Sequence, residues 1–232
     1  AWQAGTDYSF QYNTNSVTGF TNAGTYSNLT VNVLKTGFST ATSGNTAGTL
    51  TVSPKLLSLS ASKTYDGTVA LTGNQVTFGG LVGNETLTYS AASLFSKNVG
   101  AGNYVAAITL GNGSNGGLAS NYQLPALNAS AAPASITPKA LTVTGTTVAD
   151  KVYDGNLTAS LSGGALQGVI TGDTVSLAEV GSFADKNVGT AKTVTAANSI
   201  SGGDAGNYTL TQPTGLAASI APKALTVTGT TV

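Results

Sequence analysis

The sequence has no cysteine, histidine, arginine or methionine. Without cysteine, disulfides and thiolate metal sites are excluded. Histidine is the usual general base near neutral pH, and arginine is the usual clamp for a carboxylate or phosphate. Because most catalytic arrangements need one of these side chains, we predict that the chain is not an enzyme and binds no cofactor.

Charge is equally scarce, since charged residues make up 8% of the chain and the net charge is zero. Proteins that bind nucleic acid or anionic lipid carry a basic patch, and this composition cannot supply one. The apolar runs are far shorter than the roughly 20 residues that a spanning helix requires. We therefore predict no nucleic-acid partner and no membrane insertion in this segment.

An internal repeat dominates what is present. The string PKALTVTGTTV occupies residues 138–148 and again 222–232, and a degenerate copy starts at Pro54, so the spacing is 84 residues each time. A fixed period of this length indicates tandem domains. The predicted organisation is an incomplete divergent repeat, a first and a second full β domain, and the first strand of a following repeat, at residues 1–53, 54–137, 138–221 and 222–232.

Apolar residues alternate with Thr and Ser in short runs such as Leu141-Thr142-Val143-Thr144, which is the pattern of half-buried strands. Asp-Gly and Asn-Gly dipeptides separate these runs and favour tight turns. The pattern predicts an all-β chain of small antiparallel, immunoglobulin-like β-sandwich domains in an elongated array. A β-grasp-like or another compact β-rich repeat is the open alternative.

The sharpest repeated motif is Tyr-Asp-Gly, at Tyr65-Asp66-Gly67 and Tyr153-Asp154-Gly155. One interpretation is a buried tyrosine that leads into an Asp-Gly turn, with the four turn positions Asp66, Gly67, Asp154 and Gly155 acting structurally. The other is ligand binding by Tyr65, Asp66, Tyr153 and Asp154.

A calcium site is an alternative because the second full repeat is rich in aspartate. Aligned with the first repeat, however, Asp173 corresponds to Asn84, and the dense acidic loop pattern of a calcium site is missing. The sequence therefore predicts no metal site. The aspartates concerned are Asp150, Asp154, Asp173, Asp185 and Asp204.

A lysine–asparagine isopeptide crosslink is a further alternative that the sequence leaves open. Lysine and asparagine recur together in each full repeat, beside acidic residues. The positions are Lys97, Asn98, Lys186 and Asn187.

The ordered motifs PKALTVTG, KVYDGN, GDTV, DKNVGT and GNYTL resemble the YDG repeat of large bacterial surface proteins, and the first fragment is similar to the related MBG-type repeat. The resemblance implies a filamentous-haemagglutinin-like adhesin or biofilm matrix protein, exported by two-partner secretion or as an autotransporter. It further implies a stalk, located outside the cell or on the bacterial surface, that contributes reach and rigidity to adhesion. No catalytic residue is implied.

Two other functions stay open at this point. The chain is a module that binds polysaccharide or protein, or it is a self-associating matrix segment whose strand 222–232 pairs with a neighbouring chain. In the stalk interpretation, polysaccharide and host or matrix proteins are partners of other parts of the full-length protein.

Overall fold

The computed structural model describes residues 8–12, 15–17, 22–36, 38 and 47–229. The predicted all-β class is confirmed, since the described residues form 23 strands and two short 3₁₀ helices, Ala119–Asn121 and Ala205–Asn207. Within the same residues, no helix is long and apolar enough to cross a membrane.

The chain divides into two compact units. Unit 1 comprises Ala1–Ala61, Ala70–Phe95 and Gly102–Ala134, and unit 2 comprises Ser62–Val69, Ser96–Ala101 and Ser135–Val232. These units do not follow the 84-residue sequence repeats, because two segments of the first full repeat, Ser62–Val69 and Ser96–Ala101, belong to the unit that contains the second. One end of the first repeat therefore packs together with the second repeat.

The first eleven strands lie in or begin in unit 1, and β6 and β11 have residues in both units. They form a four-stranded sheet in the order β2-β1-β3-β4, a three-stranded sheet β11-β6-β7, and the pairs β10-β5 and β8-β9. Their bounds are Tyr8–Tyr12 (β1), Asn15–Val17 (β2), Gly24–Val33 (β3), Gly48–Val52 (β4), Lys55–Leu56 (β5), Ser58–Thr64 (β6), Val76–Gly79 (β7), Leu87–Leu94 (β8), Val105–Asn112 (β9), Tyr122–Gln123 (β10) and Ala134–Thr137 (β11).

Twelve strands lie in unit 2. They form a five-stranded sheet in the order β14-β23-β20-β19-β15, a three-stranded sheet β17-β12-β22, and the pairs β13-β16 and β18-β21. Their bounds are Lys139–Thr144 (β12), Thr147–Val148 (β13), Lys151–Val152 (β14), Thr158–Ala159 (β15), Leu161–Ser162 (β16), Ala165–Gln167 (β17), Ser176–Ala178 (β18), Gly181–Phe183 (β19), Gly189–Ala196 (β20), Ser199–Ser201 (β21), Tyr208–Thr211 (β22) and Leu216–Ala221 (β23).

Period-two burial follows the predicted alternation. Every second residue of β6 is buried, and in β12 the buried positions are Leu141 and Val143. In unit 2 the sheet built on β20 and β23 carries the main apolar cluster, because successive side chains of a strand point to opposite faces and one face of each strand supplies apolar residues. That cluster comprises Ala159, Phe183, Val194, Ala218 and Ile220.

Several pairs of the described strands are parallel, where a purely antiparallel sandwich would have none. Lys55 in β5 lies opposite Tyr122 in β10, and Lys139 in β12 lies opposite Tyr208 in β22. Strand β14 pairs with β23 in the same direction, and β6 runs alongside β11 in the equivalent way. In each case most of a repeat separates the two strands in the sequence, which gives the chain the long crossover that parallel pairing requires.

The passage from one repeat to the next is a single proline. Strand β11 ends at Thr137 and β12 begins at Lys139. Pro138 between them has no backbone N–H to donate to a ladder, so the strand breaks there. Because of this break, Ile136 and Leu141 are both buried although five positions separate them.

Candidate functional site

Both Tyr-Asp-Gly motifs form tight turns. The Asp66 Oδ1 atom accepts the Thr68 N–H at 2.9 Å, and the Asp154 Oδ1 atom accepts the Asn156 N–H at 3.0 Å. The glycine that follows has a φ of 78° at Gly67 and of 80° at Gly155. Positive φ favours glycine, which has no Cβ.

A lysine three residues before each aspartate closes the turn. The Lys63 Nζ atom lies 2.7 Å from the Asp66 carboxylate, and the Lys151 Nζ atom lies 2.9 Å from that of Asp154. Burial alone would raise the pKa of Asp66, but the hydrogen bonds from Lys63 and Thr68 outweigh it and lower that pKa. Hydrogen bonds from Lys151 and from the Asn156 backbone likewise lower the pKa of Asp154. Both carboxylates are therefore charged and already bonded within their own turns.

Tyr65 belongs to a different arrangement, which sequence reasoning missed. Its hydroxyl donates a hydrogen bond to the Asp173 Oδ2 atom at 2.7 Å, and the Tyr208 hydroxyl donates to the same oxygen at 2.5 Å. The two rings pack edge to face, with centroids 5.3 Å apart. The Lys97 Nζ atom lies 3.7 Å from the other oxygen of this carboxylate. We call Tyr65, Lys97, Asp173 and Tyr208 the joint cluster.

The two tyrosines and the carboxylate of the joint cluster are buried, whereas the Lys97 side chain is 42% exposed. Tyr65 is 2% exposed, and the Asp173 side chain is 4% exposed. Hydrogen bonds from Tyr208 and Tyr65, together with the nearby charge of Lys97, lower the pKa of Asp173. Burial and the bond to Asp173 raise the pKa of each tyrosine. At neutral pH the carboxylate is therefore charged and both phenols keep their protons.

Asn207 holds a second contact beside the joint cluster. Its Oδ1 atom accepts the Val99 N–H at 2.8 Å, and its Nδ2 atom donates to the Asn98 Oδ1 atom at 3.2 Å. Asn207 is buried. The Asn-Tyr motif of the second repeat therefore binds the Lys-Asn-Val-Gly segment of the first repeat, inside unit 2.

Unit 1 contains the same asparagine contact. The Asn121 Oδ1 atom accepts the Ala23 N–H at 2.7 Å, and its Nδ2 atom donates to the Asn22 Oδ1 atom at 3.0 Å. The contact thus occurs twice, once in each unit and each time at an Asn-Tyr motif.

The tyrosine contact of unit 1 also corrects an alignment. The Tyr122 hydroxyl donates to the Glu85 carboxylate and accepts the Val82 N–H at 3.0 Å. In unit 2 the Tyr208 hydroxyl accepts the Ile170 N–H at the same 3.0 Å. Glu85, and not Asn84, therefore takes the place of Asp173 in the first repeat. The sequence comparison was wrong by one residue because it matched Gly83-Asn84 to Gly172-Asp173, whereas in both repeats the acid follows the residue that donates to the tyrosine, Val82 or Ile170, by three positions.

The remaining predicted binding residues stand apart from the joint cluster. Tyr153 is half-buried and packs against the apolar cluster of unit 2, and its hydroxyl has no hydrogen-bond partner among the described residues. Asp66 and Asp154 are bonded inside their turns. The sequence pointed to the joint only through the recurrence of Lys-Asn-Val-Gly and Asn-Tyr in each repeat. The spacing of these motifs does not show that they contact each other.

The other aspartates of the second repeat are bonded separately. Asp150 accepts the Ser219 N–H at 2.6 Å, and Asp204 accepts the Thr174 N–H at 2.8 Å. Asp185 pairs with Lys192 at 2.6 Å. Within the part of the chain that the structure describes, no three acidic side chains gather as a metal site would require.

The residues considered for an isopeptide crosslink in the first repeat have other neighbours. Lys97 lies against the Asp173 carboxylate, and Asn98 lies against Asn207. In the second repeat, the Asn187 backbone N–H donates to the Asp185 carboxylate at 2.8 Å.

Unit 1 also contains a groove of about 640 Å³ between β7 and β8. Two aromatic rings on its wall, Phe78 and Tyr89, pack edge to face with centroids 6.3 Å apart. Strand register places Leu166 and Leu177 of the second repeat at the equivalent positions. The aromatic lining is thus specific to the first repeat.

Comparison with known proteins gives one family. The model of the YDG domain matches residues 46–131 and 137–215, which together make up more than two thirds of the 232 residues. No curated protein and no solved structure matches the chain.

Proposed function

The chain belongs to the YDG domain family, and from this membership we propose that it is a structural spacer in an exported bacterial adhesin or matrix protein. In this role it lies outside the cell or on the cell surface. Its repeats add reach and rigidity to a binding region located elsewhere in the protein. It has no substrate and no cofactor.

One observation carries the proposal: successive repeats share a buried, hydrogen-bonded joint. Tyr65 and Lys97 come from the first repeat, whereas Asp173 and Tyr208 come from the second, and the Asp173 carboxylate contacts the other three residues. A flexible string of beads would need no such contact, because a linker alone would connect its domains. The single proline at the passage, Pro138, also leaves little free chain.

The resemblance to filamentous-haemagglutinin-like proteins supports the exported location. The composition agrees with it, since the many Thr, Ser and Asn side chains on the strands solvate the outer faces without charge. Antibody labelling of intact cells that produce the protein tests this part of the proposal. Labelling only after lysis would contradict it.

Small-angle scattering of the chain tests the spacer role. A single globule of this length has a radius of gyration of about 17 Å. Modules of roughly 30 Å in series form a rod about 90 Å long. For such a rod we expect a radius of gyration of about 25 Å. A value near 17 Å would refute the spacer.

A matched pair of variants tests whether the joint cluster and the Asn207 contact determine the rigidity of the chain. The double variant Tyr65→Phe, Asn207→Ala removes bonds on both sides of the joint, so we expect a broader distribution of interatomic distances. Tyr153→Phe removes a hydroxyl that has no partner among the described residues, and we expect the distribution of the unmodified chain. Equal distributions in all three proteins would mean that the joint does not set rigidity.

Carbohydrate binding is the second candidate, and the aromatic groove of unit 1 favours it. Its volume is in the usual range for ligand sites, and aromatic rings stack on sugar faces. Changing Phe78 and Tyr89 to leucine reproduces the lining of the second repeat and keeps the wall apolar. Glycan-array binding that this variant abolishes would support the candidate, and no binding by the unmodified chain would exclude it.

A further inference from the structure

The second repeat carries its own copy of the surface that the joint covers on the first. The covered surface of the first repeat consists of Tyr65 and the segment Lys97, Asn98 and Val99. The corresponding residues of the second repeat are Tyr153, Lys186, Asn187 and Val188. We call these last four residues the distal face.

Local structure is the same at both places. The Tyr65 N–H donates to the Thr137 carbonyl at 2.9 Å, and the Tyr153 N–H donates to the Ala221 carbonyl at 2.9 Å. A short side chain also holds the lysine–asparagine segment in each case. The Asn98 N–H donates to the Ser96 hydroxyl at 3.1 Å, and the Asn187 N–H donates to the Asp185 carboxylate at 2.8 Å. The backbone that presents the contact groups is therefore already in place on the distal face.

The distal face differs in being uncovered. Tyr65 is buried, but Tyr153 is only half-buried, and Val188 is 49% exposed. Among the described residues, the Val188 N–H has no acceptor and the Tyr153 hydroxyl has no carboxylate partner. In the first repeat, the equivalent Val99 N–H donates to Asn207 and the Tyr65 hydroxyl donates to Asp173.

The string after the second repeat shows the same difference. Leu225 is 90% exposed and Val227 is 83% exposed. Their counterparts in the identical string, Leu141 and Val143, are buried in β12 at 0% and 8%. In the second repeat, the other strands of the YDG repeat bury the same two side chains. The other strands of a further YDG repeat would therefore bury Leu225 and Val227.

We propose that the distal face docks a further YDG repeat, joined in series, whose opening strand is residues 222–232. The docking repeat supplies an Asn-Tyr motif and an acidic residue. Its asparagine accepts the Val188 N–H and bonds Asn187, and its carboxylate accepts the Tyr153 hydroxyl and faces Lys186. The inference deepens the spacer proposal and rests on it, because serial docking is how a spacer would be lengthened.

Because residues 138–148 and 222–232 are identical, a third repeat can be appended without changing the sequence at the passage between repeats. A second copy of residues 149–221 appended after Val232 completes a third repeat with the sequence of the second. Amide hydrogen exchange at Val188 is then compared between the extended and the original chain. We expect exchange to slow by about tenfold or more in the extended chain and to approach the rate at Val99, because a hydrogen-bonded amide exchanges only on local opening.

A point variant isolates the contact. Changing the appended copy of Asn207 to alanine should restore fast exchange at Val188 while the exchange at Val99 stays slow. Unchanged exchange at Val188 in the extended chain would overturn the proposal. An appended repeat that does not fold would overturn it equally, because the same sequence folds against the first repeat.

The outcomes also separate this inference from the spacer proposal. A compact scattering profile with a protected Val188 would refute the spacer and leave the docking intact. An extended profile with an unprotected Val188 would do the reverse. Concentration-dependent protection of Val188 in the original chain would assign the face to a second copy and overturn serial docking.

Discussion

Removing one hydroxyl from the joint cluster should destabilise unit 2 measurably. Tyr65→Phe keeps the ring and its edge-to-face contact with Tyr208, and it deletes only the hydrogen bond to Asp173. Hydrogen bonds to charged groups contribute about 1.5–3 kcal/mol. The joint carboxylate keeps its bond from Tyr208 in the variant, so we expect a loss of about 2 kcal/mol in the free energy of unfolding.

The chain contains a matched control for this substitution. Tyr153→Phe makes the same chemical change at the equivalent position of the second repeat, where the hydroxyl has no partner among the described residues. We expect a change within about 0.5 kcal/mol, as for substitutions away from specific contacts. Urea denaturation, with hydrogen exchange of the core amides of β20 and β23 to identify the unit 2 transition, measures both values.

Comparing the two variants separates the effect of the hydrogen bond from that of the tyrosine position. Equal losses in both variants would mean that the value reflects a general property of the tyrosine position and not the bond to the carboxylate. A loss below about 0.5 kcal/mol for Tyr65→Phe would show that the joint contributes no net stability. Either result would also weaken the spacer proposal.

Three further expectations concern the turns, the asparagine contact and pH. Gly67→Ala should destabilise the protein more than Gly155→Ala in a thermal melt. Both positions have a positive φ, which costs a residue with a Cβ about 1–2 kcal/mol. Only the Cβ added at Gly67 also meets a side-chain methyl group, at 2.9 Å. Asn207→Ala should accelerate amide exchange at Val99, because its acceptor is removed; unchanged exchange would refute that bond. The folded-state pKa of Asp173 is lowered, so its stabilisation is present above the unfolded value of about 3.9 and is lost as the pH falls through the folded value. The joint tyrosines have raised pKa values, so their stabilisation is present below about pH 10 and is lost as the pH rises through the folded values. Urea denaturation across the pH range should give a plateau that falls at both ends, and a flat profile would contradict these shifts.

Local patterns predicted the strands well because burial on one face of a strand leaves a period of two in the sequence. The alternation in β12, with Leu141 and Val143 buried, is a direct example. The Asp-Gly turns were predictable for a similar reason, since the positive φ of Gly67 and Gly155 is a requirement of the turn itself. Each of these features depends on residues close together in the chain.

The joint cluster was not predictable in this way. Tyr65 and Asp173 are 108 residues apart, and neither residue type is unusual in its local sequence. The parallel pairing of β12 with β22 was missed for the same reason, because it joins the first strand of a repeat to one near its end. The Tyr-Asp-Gly, Lys-Asn-Val-Gly and Asn-Tyr motifs recur in a fixed order in each repeat. Their order in the sequence does not say which of them are in contact in the folded chain.

The direction of β12 and β22 has a mechanical consequence. The chain enters the second repeat at the start of β12 and leaves it after β23, which follows β22 in the sequence. Since β12 and β22 are parallel, a force that pulls β12 from its start and β22 from its end acts on the two strands in opposite directions along their common axis. That geometry is shear, in which the hydrogen bonds from Lys139–Tyr208 to Thr142–Thr211 carry the load together and do not open one after another. A repeat loaded in this way resists extension far better than one whose terminal strands peel apart.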